Sequence, residues 1–129
     1  MRGIRRRLAP LLDDDRRRLE LAHSLLLTLP GTPFLYYGQE IAMGDDLSRE
    51  ERTPLRAPMQ WANVEQAGFS TAPPEALDAP VIEGGRWGYR RRNVTDQARD
   101  SSSFMHWLTG ATQVRTSSRR ARSDYSRVC

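Results

Sequence analysis

The sequence contains no lysine. All 20 of its basic residues are arginine, and against 16 acidic residues they leave a formal charge of +4. So exclusive a use of arginine reads as the coding bias of GC-rich DNA rather than as a surface built for an anionic partner. Cysteine is nearly absent too. The one thiol, Cys129, is the last residue. An internal disulfide is therefore excluded, and a reducing, cytoplasmic compartment is expected. Long apolar runs are missing as well. Leu8 to Leu12 follows Arg2, Arg5, Arg6 and Arg7 as the core of a signal peptide follows its basic end. Pro10 breaks that run and Asp13 stops it, so it is too short for export. Nothing approaches the roughly 20 apolar residues of a membrane span, and no membrane partner is expected.

Metal-ligand patterns are also lacking. His23 and His106 have no cysteine or paired histidine nearby, which argues against zinc. Asp45, Asp46, Glu50 and Glu51 lack the ordered spacing and turn glycine of a calcium loop. They read as a solvated loop. No metal and no cofactor are expected.

What is present suits one modest domain of 129 residues. The stretch DDDRRRLELAHSLLLTLPG predicts an amphipathic helix with both ends marked. Asp13 to Asp15 offer carboxylates to the free N–H groups of its first turn. Leu19, Ala22, Leu26 and Leu29 recur at helical spacing, with Leu21 and Leu25 widening the stripe. Pro30-Gly31 stops it. TPFLYYG then reads as a short buried strand, and a helix followed closely by such a strand is an α/β signal.

From Gly44 to about Arg99, prolines and glycines interrupt any long element, yet Trp61, Phe69, Trp87 and Tyr89 are spread through the stretch. That combination predicts a long, structured, functional loop. A further helix is expected from Asp100 or Ser101 as cap, with Phe104, Trp107 and Leu108 on one side. Beyond Leu108 no apolar period persists, and serine, threonine and arginine dominate. The expectation there is a disordered or misframed tail, residues 109–129.

The run PGTPFLYYGQEIAMGDD, followed by RAPMQW and AGFS, resembles glycoside hydrolase family 13, the α-amylase family. In that family a Gly-x-Pro-x-x-Tyr-Tyr-Gly-x-Glu stretch forms the eighth strand of the catalytic barrel. Here it is Gly31, Pro33, Tyr36, Tyr37, Gly38 and Glu40. The second motif belongs to the exo-acting branch and is carried by Arg56, Pro58, Met59, Gln60 and Trp61, with Ala57 where threonine is usual. GIRRRLAPLLDDDRRRLEL and WGYRRRNVTDQARDSSSFMHWL look most like the trehalose-synthase subgroup of that branch. The resemblance covers about Gly3 to Leu108. It implies that residues 1–108 are the C-terminal part of a (β/α)₈ TIM barrel: seventh helix, eighth strand, long loop and start of the eighth helix.

Further implications follow from the resemblance. The substrate would be an α-glucoside disaccharide, maltose or trehalose, interconverted by glucosyl transfer. A related α-glucosidase or α-amylase-type hydrolase is the alternative within the family. Retaining cleavage needs two carboxylates about 5 Å apart. The resemblance puts the catalytic carboxylates on the fourth, fifth and seventh strands, so none of them is assigned here and the chain is expected to be inactive alone. Arg56 is the substrate-binding candidate, because a planar guanidinium can hold sugar hydroxyls in fixed geometry. Tyr37, Glu40 and Gln60 are expected to support the site. Trp61 and Phe69 offer either sugar-facing surface or packing for the loop.

A reading from another class is a small basic nucleic-acid-binding protein. The sequence pI is near 10.0, and Arg119, Arg120 and Arg122 cluster near the end. Charge alone is nonspecific, and this reading leaves the aromatic run and RAPMQW unexplained. No nucleic-acid partner is expected.

Overall fold

A computed structural model describes residues 5–50 and 53–125. The readings of Arg2, Glu51 and Cys129 lie outside the described residues, as does the end of the tail, 126–129. Among the described residues four α-helices occur: α1 (Leu8–Leu11), α2 (Arg16–Thr28), α3 (Val94–Arg99) and α4 (Phe104–Tyr125).

Helix α2 begins as its acidic lead-in predicts. The Asp15 carboxylate accepts from the N–H groups of Arg17 and Arg18 at 2.9 and 3.1 Å, satisfying two donors that the first turn leaves open. The helix ends at Thr28, just before Pro30-Gly31. Its buried stripe is rotated from the predicted one. Leu19, His23 and Leu27 face inward, whereas Leu21, Leu25 and Leu29 are exposed. His23 takes a core position because its Nδ1 bonds the Leu19 carbonyl at 2.8 Å, and its ring meets Phe104 edge-on at 5.1 Å.

Helix α4 packs across α2 and α3. Its cap is Ser103, whose Oγ accepts from the His106 N–H at 3.2 Å. Asp100, expected in that role, instead folds back on Ser102, accepting from its N–H and hydroxyl. The expected disorder after Leu108 is corrected as well: the helix continues to Tyr125. It shows no apolar period, and its hydroxyls are satisfied within the helix without strengthening it. The hydroxyls of Thr109, Thr116, Ser117 and Ser118 bond carbonyls one turn back. Arg115 donates to the carbonyls of Leu27 and Gly31, tying α4 to the C-terminal end of α2.

Two apolar clusters result. Ala9, Leu19, Leu27, Ala42, Phe104 and Leu108 form the first, between α1, α2 and α4. Ile41, Met43, Ala57 and Met59 form the second, beneath the long loop. The segment Ile41–Ala42–Met43 separates them, with Ala42 turned to one cluster and its neighbours to the other. Ala42 adopts φ 52° to do so, a conformation costly for alanine and tolerated where packing fixes it.

The predicted buried strand at Pro33–Gly38 is not formed: no strand occurs among the described residues. The segment is also open to solvent. Phe34 is 84% exposed, and Leu35, Tyr36 and Tyr37 are exposed beside it. The reason is physical. A strand is defined by its ladder, and no neighbouring strand lies alongside to accept its amides.

The loop is ordered, as its aromatics predict. Short 3-10 turns at Thr53–Arg56, Glu65–Gly68, Pro74–Ala76 and Gly85–Trp87 lead into α3. Gln60, fully buried, donates to the Trp87 carbonyl at 2.8 Å. Asn93, also fully buried, caps α3 through the Asp96 N–H at 2.8 Å and donates to the Tyr89 carbonyl at 2.9 Å.

Candidate functional site

Arg7 enters the interior from the residue before α1 and is only 4% exposed. Burying a guanidinium is costly unless its donors find partners. Here Nη1 donates to the Tyr37 carbonyl at 2.6 Å and Nη2 to the Leu55 carbonyl at 2.7 Å. Its planar head also lies 4.8 Å from the Tyr37 ring centroid and 5.2 Å from that of Tyr36, within cation–π range. Burial pulls Arg7 below the ordinary arginine value, and the neighbouring tyrosines and Glu40 oppose that shift. Burial likewise raises the Tyr37 phenol, with Tyr36 adding to the rise and Arg7 opposing it.

The base of Arg7 is anchored separately. The Asp45 carboxylate accepts from the Arg7 N–H at 3.0 Å and from Arg6 Nε at 2.9 Å. Asp45 was expected on a solvated loop and is instead buried, 8% exposed, because it pairs with this arginine segment. Gly38 makes room. Its φ of +82° favours glycine, and a β-carbon there would lie 3.0 Å from Arg7 Nη1 and 2.8 Å from Met43 Sδ.

Arg6, Arg7, Leu8, Tyr36, Gln39, Leu55 and Arg56 line a cleft of about 420 Å³. That volume suits a small molecule, for which roughly 300–1,000 Å³ is usual. Arg56, the substrate-binding candidate, is thus brought beside Tyr36 and Gln39. Glu40 is half-buried near Arg7 and is not among the cleft's lining residues. Tyr37 is not among the cleft's lining residues, and its hydroxyl donates to the Ala57 carbonyl at 2.9 Å. Gln60 holds the Trp87 loop. Trp61 and Phe69 lie away from the cleft with half-exposed rings. Their backbones are pinned, Trp61 to Ala67 and Thr95 and Phe69 to Gln66.

Arg7 and Asp45 escaped the sequence reading. Nothing in the run Arg5-Arg6-Arg7 separates the buried arginine from its neighbours. Among the described residues, no group of three or more His, Cys, Asp or Glu is placed to hold a metal ion.

The cleft sets three arginines and Gln39 beside one aromatic ring, Tyr36, an arrangement with hydrogen-bond donors and an apolar face for a small polar molecule. The chain matches the α-amylase catalytic domain over residues 5–124, and it belongs to that family. It is 48% identical over 114 residues to the trehalose synthase/amylase TreS of Mycolicibacterium smegmatis, covering 88% of this chain and 19% of that protein. It is 47% identical over 113 residues to the trehalose synthase of Pimelobacter, covering 88% of this chain and 20% of that protein. The chain therefore spans about a fifth of the length of these relatives.

Identity to the α-glucosidase of Culex pipiens is lower, 35% over 101 residues, covering 76% of this chain and 16% of that protein. Among solved structures, the trehalose-6-phosphate hydrolase of Bacillus licheniformis superimposes with a TM-score of 0.72 at 21% identity, over 87% of this chain and 26% of that one. The fold is thus that of part of an α-amylase-type barrel enzyme.

Proposed function

We propose that this chain supplies the seventh helix, eighth strand, following loop and first part of the eighth helix of an enzyme that interconverts maltose and trehalose. The reaction would be an intramolecular glucosyl transfer, carried out in the cytoplasm: the glycosidic bond to one oxygen of the second glucose breaks, and the glucosyl unit is joined to the anomeric oxygen of that same glucose. The observation that carries the reading is Arg56 in the cleft beside Tyr36 and Gln39, on a chain 48% identical to a trehalose synthase/amylase across most of its length.

On this reading Arg56 holds sugar hydroxyls through its planar fork, and Tyr36 gives the ring an apolar face. Tyr37, Glu40 and Gln60 support the site, and Trp61 and Phe69 shape its loop. The retaining pair of carboxylates comes from other strands of the complete enzyme, so this chain binds and orients while the reacting groups lie elsewhere. The extended segment Pro33–Gly38 would become a strand when flanked by its barrel neighbours. Identity to the Pimelobacter trehalose synthase, 47%, exceeds the 35% to the α-glucosidase, which favours transfer over hydrolysis.

The test uses the Mycolicibacterium smegmatis relative with its aligned segment replaced by that of this chain. Arg56→Lys keeps the charge and loses the fork. The expected result is a fall in kcat/KM on maltose of roughly tenfold to a hundredfold, the worth of a charged hydrogen bond, with melting temperature unchanged. Unaltered kinetics would reduce Arg56 to a surface residue of the loop.

A further inference from the structure

We infer that Arg7 is a positioning residue: with Tyr37 it ties down the carbonyls of both residues flanking Arg56 and so sets where that guanidinium stands in the cleft. The inference rests on the reading of Arg56 as the sugar-binding group.

The geometry is a closed triangle. Arg7 Nη2 donates to the carbonyl of Leu55, the residue before Arg56, at 2.7 Å. The Tyr37 hydroxyl donates to the carbonyl of Ala57, the residue after it, at 2.9 Å. Arg7 Nη1 closes the figure by donating to the Tyr37 carbonyl at 2.6 Å. Arg56 itself remains at the cleft wall, with its backbone held on either side. A third tether lies one residue further back, where the Pro54 carbonyl accepts from the Asp46 N–H at 3.2 Å.

Space-filling alone does not explain an arginine at position 7. Burying a charge is costly, whereas burying an apolar side chain of similar volume is favourable. Arg7 Nε is moreover buried without a hydrogen-bond partner, so the guanidinium is held there at less than full satisfaction. What only arginine supplies is a rigid fork that reaches two carbonyls in different segments at once. A lysine's single ammonium cannot span Tyr37 and Leu55 in the same fixed plane. Preset orientation matters because a binding side chain that must be ordered by its ligand loses affinity to that ordering. The effect of loosening the clamp therefore falls on sugar binding rather than on the reacting groups.

The experiment compares Arg7→Lys, Tyr37→Phe and Arg56→Lys, singly and paired, in the grafted trehalose synthase. Arg7→Lys is expected to raise KM for maltose about fivefold to tenfold with kcat within about twofold. Tyr37→Phe is expected to shift KM in the same direction by less. Residues acting through one another give non-additive pairs, so Arg7→Lys with Arg56→Lys should be no worse than Arg56→Lys alone. Tyr37→Phe with Arg56→Lys should behave likewise, and it carries the test by itself if Arg7→Lys does not fold. Multiplying effects in these pairs, or an unchanged KM with activity lost only in proportion to a lowered Tm, would overturn the clamp while leaving Arg56 as a sugar ligand. A silent Arg56→Lys would overturn both.

Discussion

Asn93 is a residue whose three hydrogen bonds join the start of α3 at Asp96 to the end of the loop at Tyr89. Its Oδ1 caps α3, and its Nδ2 reaches the Tyr89 carbonyl and the Asp96 carboxylate. Because the side chain is fully buried, its loss strands the buried Tyr89 carbonyl, whereas the exposed Asp96 can turn to water. Asn93→Ala should therefore cost about 2–3 kcal/mol, more than an exposed cap alone. A shift in the urea midpoint of the chain measures it, and a loss below about half a kcal/mol would show that water replaces the asparagine. Arg7 and Asp45 make the complementary point about legibility. Both are charged residues in charged surroundings, and a one-dimensional pattern assigns such residues to solvent. Only their contacts across 38 positions of sequence reveal them as buried.

At the scale of elements, the two ends of α2 were legible because they are local chemistry: Asp15 as cap and Pro30-Gly31 as stop. Its inward face was not. Several leucines satisfy more than one helical stripe, and the choice of Leu19, His23 and Leu27 follows from where α4 lies. The extended segment was legible as composition and not as structure, since a strand depends on partners outside it. The C-terminal helix was misread because what ties it down is polar: Arg115 bonds the carbonyls of Leu27 and Gly31, a contact that no apolar period shows.

Two glycines test this packing with opposite signs. A β-carbon on Gly44 would overlap the Trp87 ring, whereas one on Gly110, within α4, meets nothing within 4 Å. Gly44→Ala should destabilise by about 1–3 kcal/mol. Gly110→Ala should stabilise by about 0.5–1 kcal/mol. Thermal unfolding of both variants checks the pair, and equal shifts would mean that the Trp87 loop does not rest on Gly44.

Over the whole molecule, the apolar surface is unevenly covered. Leu21, Leu25 and Leu29 on α2 are each more than half exposed, and Phe34 is 84% exposed on the adjoining segment. Such a surface, next to an extended backbone without ladder partners, favours association. The purified chain should sediment as more than a monomer at micromolar concentration, and a monodisperse monomer would contradict the reading of that face as one made to be covered.

The same surface explains why the functional account concerns a larger catalytic domain. The chain belongs to the α-amylase family and spans about a fifth of its trehalose-synthase relatives. Its proposed part in the chemistry is to place Arg56 and the loop around it. The most direct measurement is therefore turnover of maltose by the Mycolicibacterium smegmatis relative carrying this chain in place of its own aligned segment. The account predicts trehalose as the main product, formed in proportion to enzyme. A folded graft that yields no trehalose, or glucose alone, would contradict it.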